Sequence, residues 1–416
     1  MSTNPTASAP IHAENPYFPV VDNELTAGGI KLSELVKRAG QTPFYVYDKN
    51  AMTERVKALR AAMPKDLSLH YAMKANPMPA VVKHMSGLVD GIDVASGREL
   101  RVALDTPTKP HDISFAGPGK SLEEIRLAVA SDIVINLESL TQLQQTETAA
   151  HALNKKAKVA IRVNPDFELK SSGMKMGGHA AQFGIDAEIV PDVLKRIGAS
   201  DALEFVGFHI FWGSQNLRPE NIIEAHDNTF ALAYRLAQSA PAPVKLLNIG
   251  GGLGIPYFPG DKALELAEIS ANLERHLAEC KQRLPEAEVV MELGRYLVGE
   301  AGLYVCEVLE RKVSRGQVFL ITNGGLHHHL AASGNFGQII RKNYPLAVAN
   351  RVSSDDMETV HVVGPLCTPL DLLGSKMTLP KADIGDLIAV YQSGAYGLTA
   401  SPRAFLSHPD AVELLV

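Results

Sequence analysis

Cysteine is scarce in this chain: Cys280, Cys306 and Cys367 are three in 416 residues, with no CxxC spacing among them. Three scattered thiols cannot build a disulfide framework, and the expected compartment is a reducing cytoplasm. Basic excess is missing too. The formal net charge is -6 and no Lys/Arg run occurs, so no nucleic-acid partner is expected. No uninterrupted apolar run is long enough to span a bilayer. Residues 1–10 are small and polar, without the apolar core of a secretory signal, so no membrane partner is expected either. HExxH and paired Cys/His ligands are absent. His327-His328-His329 point in different directions as neighbours, so no metal is expected. Internal repeats and low-complexity tracts are also lacking.

What is there reads as a soluble globular protein, 46% apolar and 21% charged, long enough for two domains. The first twenty-odd residues read as a loose arm, and 1–40 as an N-terminal arm joining a β-domain. From 41 to 298 strand-like and helix-like segments alternate. A short strand at 42–48 leads into a helical run at 51–62. Apolar strands follow at 67–73, 88–94, 112–116, 133–136, 158–163, 205–211, 244–249 and 289–292, with amphipathic stretches at 122–130, 140–153 and 263–280. About eight βα units over roughly 230 residues is the period of a closed (β/α)8 barrel. Beyond 299 the rhythm changes to β-rich runs at 303–309, 317–322, 359–363 and 387–391, a C-terminal β-domain.

The strand ends are polar or glycine-rich: Lys74, Asp93, Gly117-Pro118-Gly119, Asn136 with Glu138, Arg162, His209, Gly250-Gly251-Gly252 and Glu292. Such a series places an active site at the barrel's C-terminal mouth. In His70-Tyr71-Ala72-Met73-Lys74-Ala75-Asn76 a lysine arrives where a buried strand should stop. Two readings stay open there. The amine loses its proton readily and condenses with an aldehyde, or it snorkels to solvent. The glycines at 250–252 suit a phosphate nest after the seventh strand, or form a tight turn only. They fail the dinucleotide pattern, whose last glycine would be Ile255 or Tyr257. Gly117-Pro118-Gly119-Lys120-Ser121 lacks a nucleotide loop's first glycine and reads as a turn and helix start. Glu292 either holds the protonated nitrogen of a pyridine ring or makes a strand-end ion pair. Phe208-His209-Ile210-Phe211-Trp212-Gly213-Ser214-Gln215 supplies ring faces, or core, and Ser214 suits a phosphate donor.

Together these motifs resemble the fold-type III pyridoxal-phosphate decarboxylases, the group of diaminopimelate and ornithine decarboxylases, over essentially the whole chain after Gln41. Tyr71-Ala72-Met73-Lys74-Ala75-Asn76 is similar to the family's cofactor-lysine motif, and Gly91-Ile92-Asp93-Val94-Ala95-Ser96 to its next strand. Glu292-Leu293-Gly294-Arg295 resembles Glu-Pro-Gly-Arg, with Leu293 in place of proline. Gly364-Pro365-Leu366-Cys367 resembles the loop that a neighbouring subunit inserts, and Gly394-Ala395-Tyr396 the C-terminal tyrosine motif. The resemblance implies an alanine-racemase-like (β/α)8 barrel plus a C-terminal β-domain, with pyridoxal 5'-phosphate as cofactor. It makes Lys74, Glu292 and Cys367 catalytic. It assigns the cofactor to Lys74, Asp93, Arg162, His209, Phe211, Ser214, Gly250, Gly251, Gly252, Glu292, Gly294, Arg295 and Tyr396. It also implies a head-to-tail homodimer with shared active sites.

The departures bear on substrate. After the loop cysteine, diaminopimelate enzymes carry Glu and ornithine enzymes Asp to hold a distal ammonium; here the residue is Thr368. The family's second histidine before Ile-Gly-Ser is Phe211, and its Arg-x-x-x-Tyr grip is replaced by a stretch offering Arg341 and Tyr344. Lys175-Met176-Gly177-Gly178, Gln182-Phe183-Gly184, the three histidines and Cys367-Thr368-Pro369 are more similar to glutamyl-carrier-protein decarboxylases of butirosin and polysaccharide clusters. That implies α-decarboxylation of an amino acid without a free distal ammonium, as a small molecule or tethered to a carrier protein. The rivals are a diaminopimelate decarboxylase making lysine, an amino-acid racemase and a non-enzymatic pyridoxal-phosphate carrier. Similar racemases place arginine where Glu292 stands, and a carrier has no need of a β-domain with Cys367 and Tyr396.

Overall fold

The apolar runs form one closed parallel sheet in the computed structural model, which describes residues 10–167, 174–175 and 179–416. In chain order the strands are β1 (Leu67–Ala72), β2 (Gly91–Val94), β3 (Ile113–Phe115), β4 (Val134–Leu137), β5 (Ala157–Asn164), β6 (Leu203–Ile210), β7 (Leu246–Asn248) and β8 (Glu288–Leu293). Each pairs in parallel with the next, and β8 closes on β1. Helices on the outside and side chains within bury both faces, which is why the strands read as near-continuous apolar runs. Three of the βα loops end on a serine that caps the next helix. Ser96, Ser121 and Ser139 accept from the backbone N–H of Glu99, Glu124 and Gln142, each cap contributing on the order of 1 kcal/mol. Where bounds differ from expectation, a local cause is visible. Residues 88 and 89 are not strand, because the Leu88 and Val89 N–H groups turn back to the Met85 carbonyl.

The barrel unit comprises Met52–Gly254 and Leu264–Leu297; a second unit takes the described part of Met1–Ala51 with Ile255–Ala263 and Val298–Val416. The second unit is built on the long strand Gly302–Ser314, which pairs with Gln317–Thr322, Leu387–Val390 and Phe44–Tyr47. The strand at 42–48 was expected inside a barrel domain starting at 41. It lies instead in this sheet, antiparallel to Gly302–Ser314 and parallel to Val412–Leu415. Its four residues are all buried, and an unbroken apolar run carries no mark of which sheet it joins. The loose arm also needs correction. Within its twenty-odd residues Phe18 and Leu25 pack into one core with Phe44, Val46, Leu303 and Val305. No helix among the described residues is long and apolar enough to cross a membrane.

At Gly207, where β6 bulges, the neighbouring strand leaves no room for a side chain. A Cβ there would lie 1.7 Å from the Leu246 carbonyl oxygen on β7. Gly207→Ala is expected to cost about 3 kcal/mol or more through overpacking. The thermal midpoint should fall by several degrees, and an unchanged midpoint would contradict this strand spacing.

Candidate active site

Barrel register brings polar residues into rows near the strand C-termini. Glu292 stands opposite His70, Asp93 opposite Ser114, and Arg162, His209 and Asn248 form one row across β5, β6 and β7. After Ala72 the chain makes a single tight turn, Met73–Ala75, that carries Lys74. The Lys74 side chain is 44% exposed, and its Nζ lies 3.1 Å from Oε1 of Glu292. The ring centre of Phe211 is 5.5 Å from the same amine. Glu292 is buried, with Oε2 3.0 Å from Nε2 of His209, at ion-pair distance but off the hydrogen-bonding direction. Burial pushes the Glu292 carboxyl up, but Lys74 and His209 outweigh it and hold it far below the usual carboxylate value.

Two supporting networks were not foreseen. Asp93 Oδ1 accepts from the Ser114 hydroxyl at 2.5 Å and lies 3.3 Å from His70 Nδ1, while Asn136 donates to the same hydroxyl at 3.1 Å. Burial works against a charged His70, yet Asp93 raises its pKa above the ordinary histidine value. In the second network Arg162 donates to Glu138 at 2.9 Å and lies over the Phe183 ring, 5.0 Å from its centre. Glu138 also accepts from the N–H groups of Gly117 and Gly184. The turn and helix start at 117–121 are present, and Lys120 adds a buried tie. Its ammonium donates to the carbonyls of Gly117 and Asn136 and to Gln142 Oε1, at 2.9, 2.7 and 3.1 Å. Burial pushes that amine down to about 8. The signal for Lys120 was one lysine followed by a capping serine, which says nothing of burial.

Gly250 and Gly252 have φ of +71° and +86°, and a Cβ on Gly251 would lie 1.9 Å from the Glu292 carbonyl oxygen. Only glycine permits that approach. Gly294 meets the Ala72 carbonyl oxygen in the same way, at 2.8 Å, and Arg295 opens the short helix Arg295–Val298. Ser214 lies on a two-residue strand paired with Met174–Lys175. Residues 176–178 of the Lys175-Met176-Gly177-Gly178 motif lie outside the described residues. Asp93 Oδ2 and both His209 ring nitrogens are buried with no hydrogen-bond partner among the described residues. An orphaned acceptor, an orphaned imidazole, a charged carboxylate, an accessible amine and a glycine cradle fit a polar aromatic aldehyde bearing phosphate.

The remaining predicted residues lie in the second unit. Cys367 is exposed and Thr368 half-buried in the loop 364–372. Tyr396, with φ of +53°, follows Gly394, whose Cβ would lie 1.8 Å from the Val298 carbonyl oxygen. Arg341, expected at the substrate, turns into its own unit. It donates to the Ser333 and Leu372 carbonyls and to Asn343 Oδ1 at 3.1, 2.9 and 2.7 Å. Tyr344 is buried, its ring 4.8 Å from Tyr257 and 5.6 Å from His329. Arg341 is thus held by hydrogen bonds and Tyr344 by ring contacts within their own unit. The three histidines are fully buried, and burial pushes His327 and His329 down to about 3, so they are neutral core residues.

A family model described as the pyridoxal binding domain of pyridoxal-dependent decarboxylases matches residues 49–299. The chain belongs to the pyridoxal-dependent decarboxylases. This decarboxylase is 38% identical over 390 residues to the L-glutamyl-[BtrI acyl-carrier protein] decarboxylase of Niallia circulans, covering 92% of this chain and 91% of the relative. It is 34% identical over 404 residues to the diaminopimelate decarboxylase of Aquifex aeolicus, covering 97% and 93%. The crystal structure of the M. jannaschii diaminopimelate decarboxylase with L-lysine superposes with a TM-score of 0.86 at 25% identity, over 97% of this chain and 93% of that one. The protein is therefore a lyase that uses pyridoxal phosphate.

The Glu292 environment predicts a pH dependence of the decarboxylase stripped of cofactor. A carboxyl whose folded pKa is depressed contributes stability above its unfolded value of 4.5, lost as pH falls below that. Thermal midpoints should decline more steeply below that pH in wild type than in Glu292→Gln. Parallel profiles would mean that Lys74 and His209 do not hold the charge.

Proposed function

We propose that this decarboxylase removes the α-carboxyl group of an amino acid whose distal end carries no free ammonium, best of all a glutamyl group tethered to a carrier protein. The observation that carries the reading is Asp371. It is the one acid in the loop 364–372, it is 3% exposed, and its two oxygens accept from the N–H groups of Leu326 and Leu366 at 2.6 and 2.9 Å. Turning it towards a substrate cation would orphan two buried donors, at about 1–3 kcal/mol each. The Thr368 hydroxyl beside it accepts from Leu370 N–H at 3.3 Å and supplies no charge. The loop therefore offers no carboxylate for a distal ammonium. Similarity to the Niallia circulans enzyme, named for a carrier-linked glutamyl group, supports the tethered form.

In this reading Lys74 binds the cofactor aldehyde, Glu292 faces the ring nitrogen, and the backbone at 250–252 with Ser214 and Tyr396 takes the phosphate. Asp93, Arg162, His209, Phe211, Gly294 and Arg295 complete the binding surface. The bound cofactor supplies an electron sink for the pair left on Cα when the bond to the carboxyl group breaks. Cys367 of the partner subunit, or Lys74, returns a proton to Cα. The active form is a homodimer that shares its two sites.

CO2 release should be at least ~100-fold faster, as kcat/KM, from a carrier-bound glutamyl substrate than from free diaminopimelate, lysine or ornithine, since an unpaired buried ammonium costs several kcal/mol. Thr368→Glu should shift preference towards diaminopimelate. Efficient wild-type turnover of diaminopimelate, at ~10⁴ M⁻¹s⁻¹ or more, would instead make this a diaminopimelate decarboxylase.

Site sharing has its own test. Inactive Lys74→Ala and Cys367→Ala subunits, mixed under conditions of confirmed exchange, should regain part of the activity. Absence of any recovery would put both residues in one chain's site.

A further inference from the structure

The chain leaving β6 runs beneath the glycine loop and touches it repeatedly. The Gly250 Cβ position is 3.0 Å from a Phe211 ring carbon. At Gly252 the same position is 2.4, 2.6 and 3.2 Å from Cη2, Cζ2 and Cζ3 of Trp212, so the six-membered edge of the indole lies directly against the backbone. Asn216 then brackets the loop. Its N–H donates to the Gly252 carbonyl, and its carbonyl accepts from Gly254 N–H, each at 2.9 Å. Trp212 is 3% exposed, and it is the one tryptophan in the chain. Among the described residues its Nε1 has no hydrogen-bond partner, nor has either ring nitrogen of His226, which packs edge-on to it at 6.3 Å. A buried indole that forgoes its hydrogen bond is poorly explained by polarity and well explained by shape.

We propose that Trp212 is a positioning residue for the phosphate site. Its indole is the floor that holds Gly252 at a left-handed φ of +86°, and with the Asn216 bracket it fixes the direction of the loop's N–H groups. Leucine and phenylalanine would fill part of the volume but lack the far edge of the indole. The loop would relax inward at Gly252, and donors aimed at a phosphate would lose alignment while the rest of the site stays intact. The inference rests on the reading that residues 250–252 hold the cofactor phosphate.

The test compares two ligands on the full-length protein stripped of cofactor: pyridoxal 5'-phosphate and pyridoxal, which lacks the phosphate. In Trp212→Leu and Trp212→Phe the affinity for pyridoxal phosphate should fall roughly tenfold, equivalent to about 1.4 kcal/mol. Affinity for pyridoxal should stay at the wild-type value. Equal losses for both ligands, or no loss in either variant, would overturn the proposal, since a merely structural tryptophan would not discriminate between them. Phenylalanine keeps an aromatic ring in the core, so that variant answers the question where leucine fails to fold. A wild-type protein that binds both ligands equally would defeat the underlying phosphate reading as well. That outcome is recognisable without any variant.

Discussion

A carboxylate enclosed in a barrel mouth constrains everything around it. Glu292 is buried, and an ionised carboxyl in that position costs several kcal/mol unless cations stand beside it. Lys74 supplies one from β1's terminal turn, and the His209 ring on β6 stands against the other carboxylate oxygen. The site is thus a joint product of three strands, and the register of β8 against β1 has to be right for it to exist. The pairing also restricts what can bind. A ligand that takes up the Lys74 amine removes Glu292's nearest cation, so it has to bring a replacement. A protonated pyridine nitrogen would be such a replacement, and a carboxylate beside it would favour its protonated form.

Around that pair the barrel keeps its polar groups oriented by giving most of them fixed partners. Glu138 takes three donors from three segments, and Lys120 ties the β3 and β4 exits through two carbonyls and Gln142. These contacts leave Arg162 little rotational freedom. Asp93, Asn136 and His209 are exceptions, with buried atoms that have no hydrogen-bond partner among the described residues. A network satisfied everywhere except at a few converging atoms is arranged for a ligand, because orphaned polar atoms would otherwise only cost stability.

Much of the fold was legible in the sequence, for a physical reason. Parallel strands buried on both faces carry the plainest apolar signal, so all eight barrel strands could be found, and Lys74 and Glu292 stood out as charges ending them. The strand Leu372–Pro380 was not found, because Gly374, Ser375 and Lys376 in its middle look like a turn. Phe44–Tyr47 was found but counted within the barrel domain, since pairing is decided by distant residues near 302 and 412. The supporting residues failed for the same reason. Lys120, Glu138, His70 and Trp212 owe their roles to neighbours that only the tertiary fold supplies. Arg341 was given a substrate role as a stand-in for the family's Arg-x-x-x-Tyr grip, and nothing in the sequence signalled its bonds to Ser333, Asn343 and Leu372.

Asp371 shows how burial changes the meaning of a residue. Asp371, three positions after Thr368, is an acid of the type that grips a distal ammonium in related enzymes at the position of Thr368. In the fold its two oxygens hold the backbone at 326 and 366, and a Cβ on Gly325 or Gly364 would lie within 2.2 Å of its carboxylate. Those glycines are shaped around the acid, so it cannot swing out without the two loops reopening. Burial pushes its pKa up, which its two backbone donors oppose, another sign of a group committed inward. A loop whose single negative charge is used to fold the loop presents a neutral face. Neutral chemistry at the distal end of the substrate, an acyl link rather than an ammonium, is what such a face accommodates at least cost.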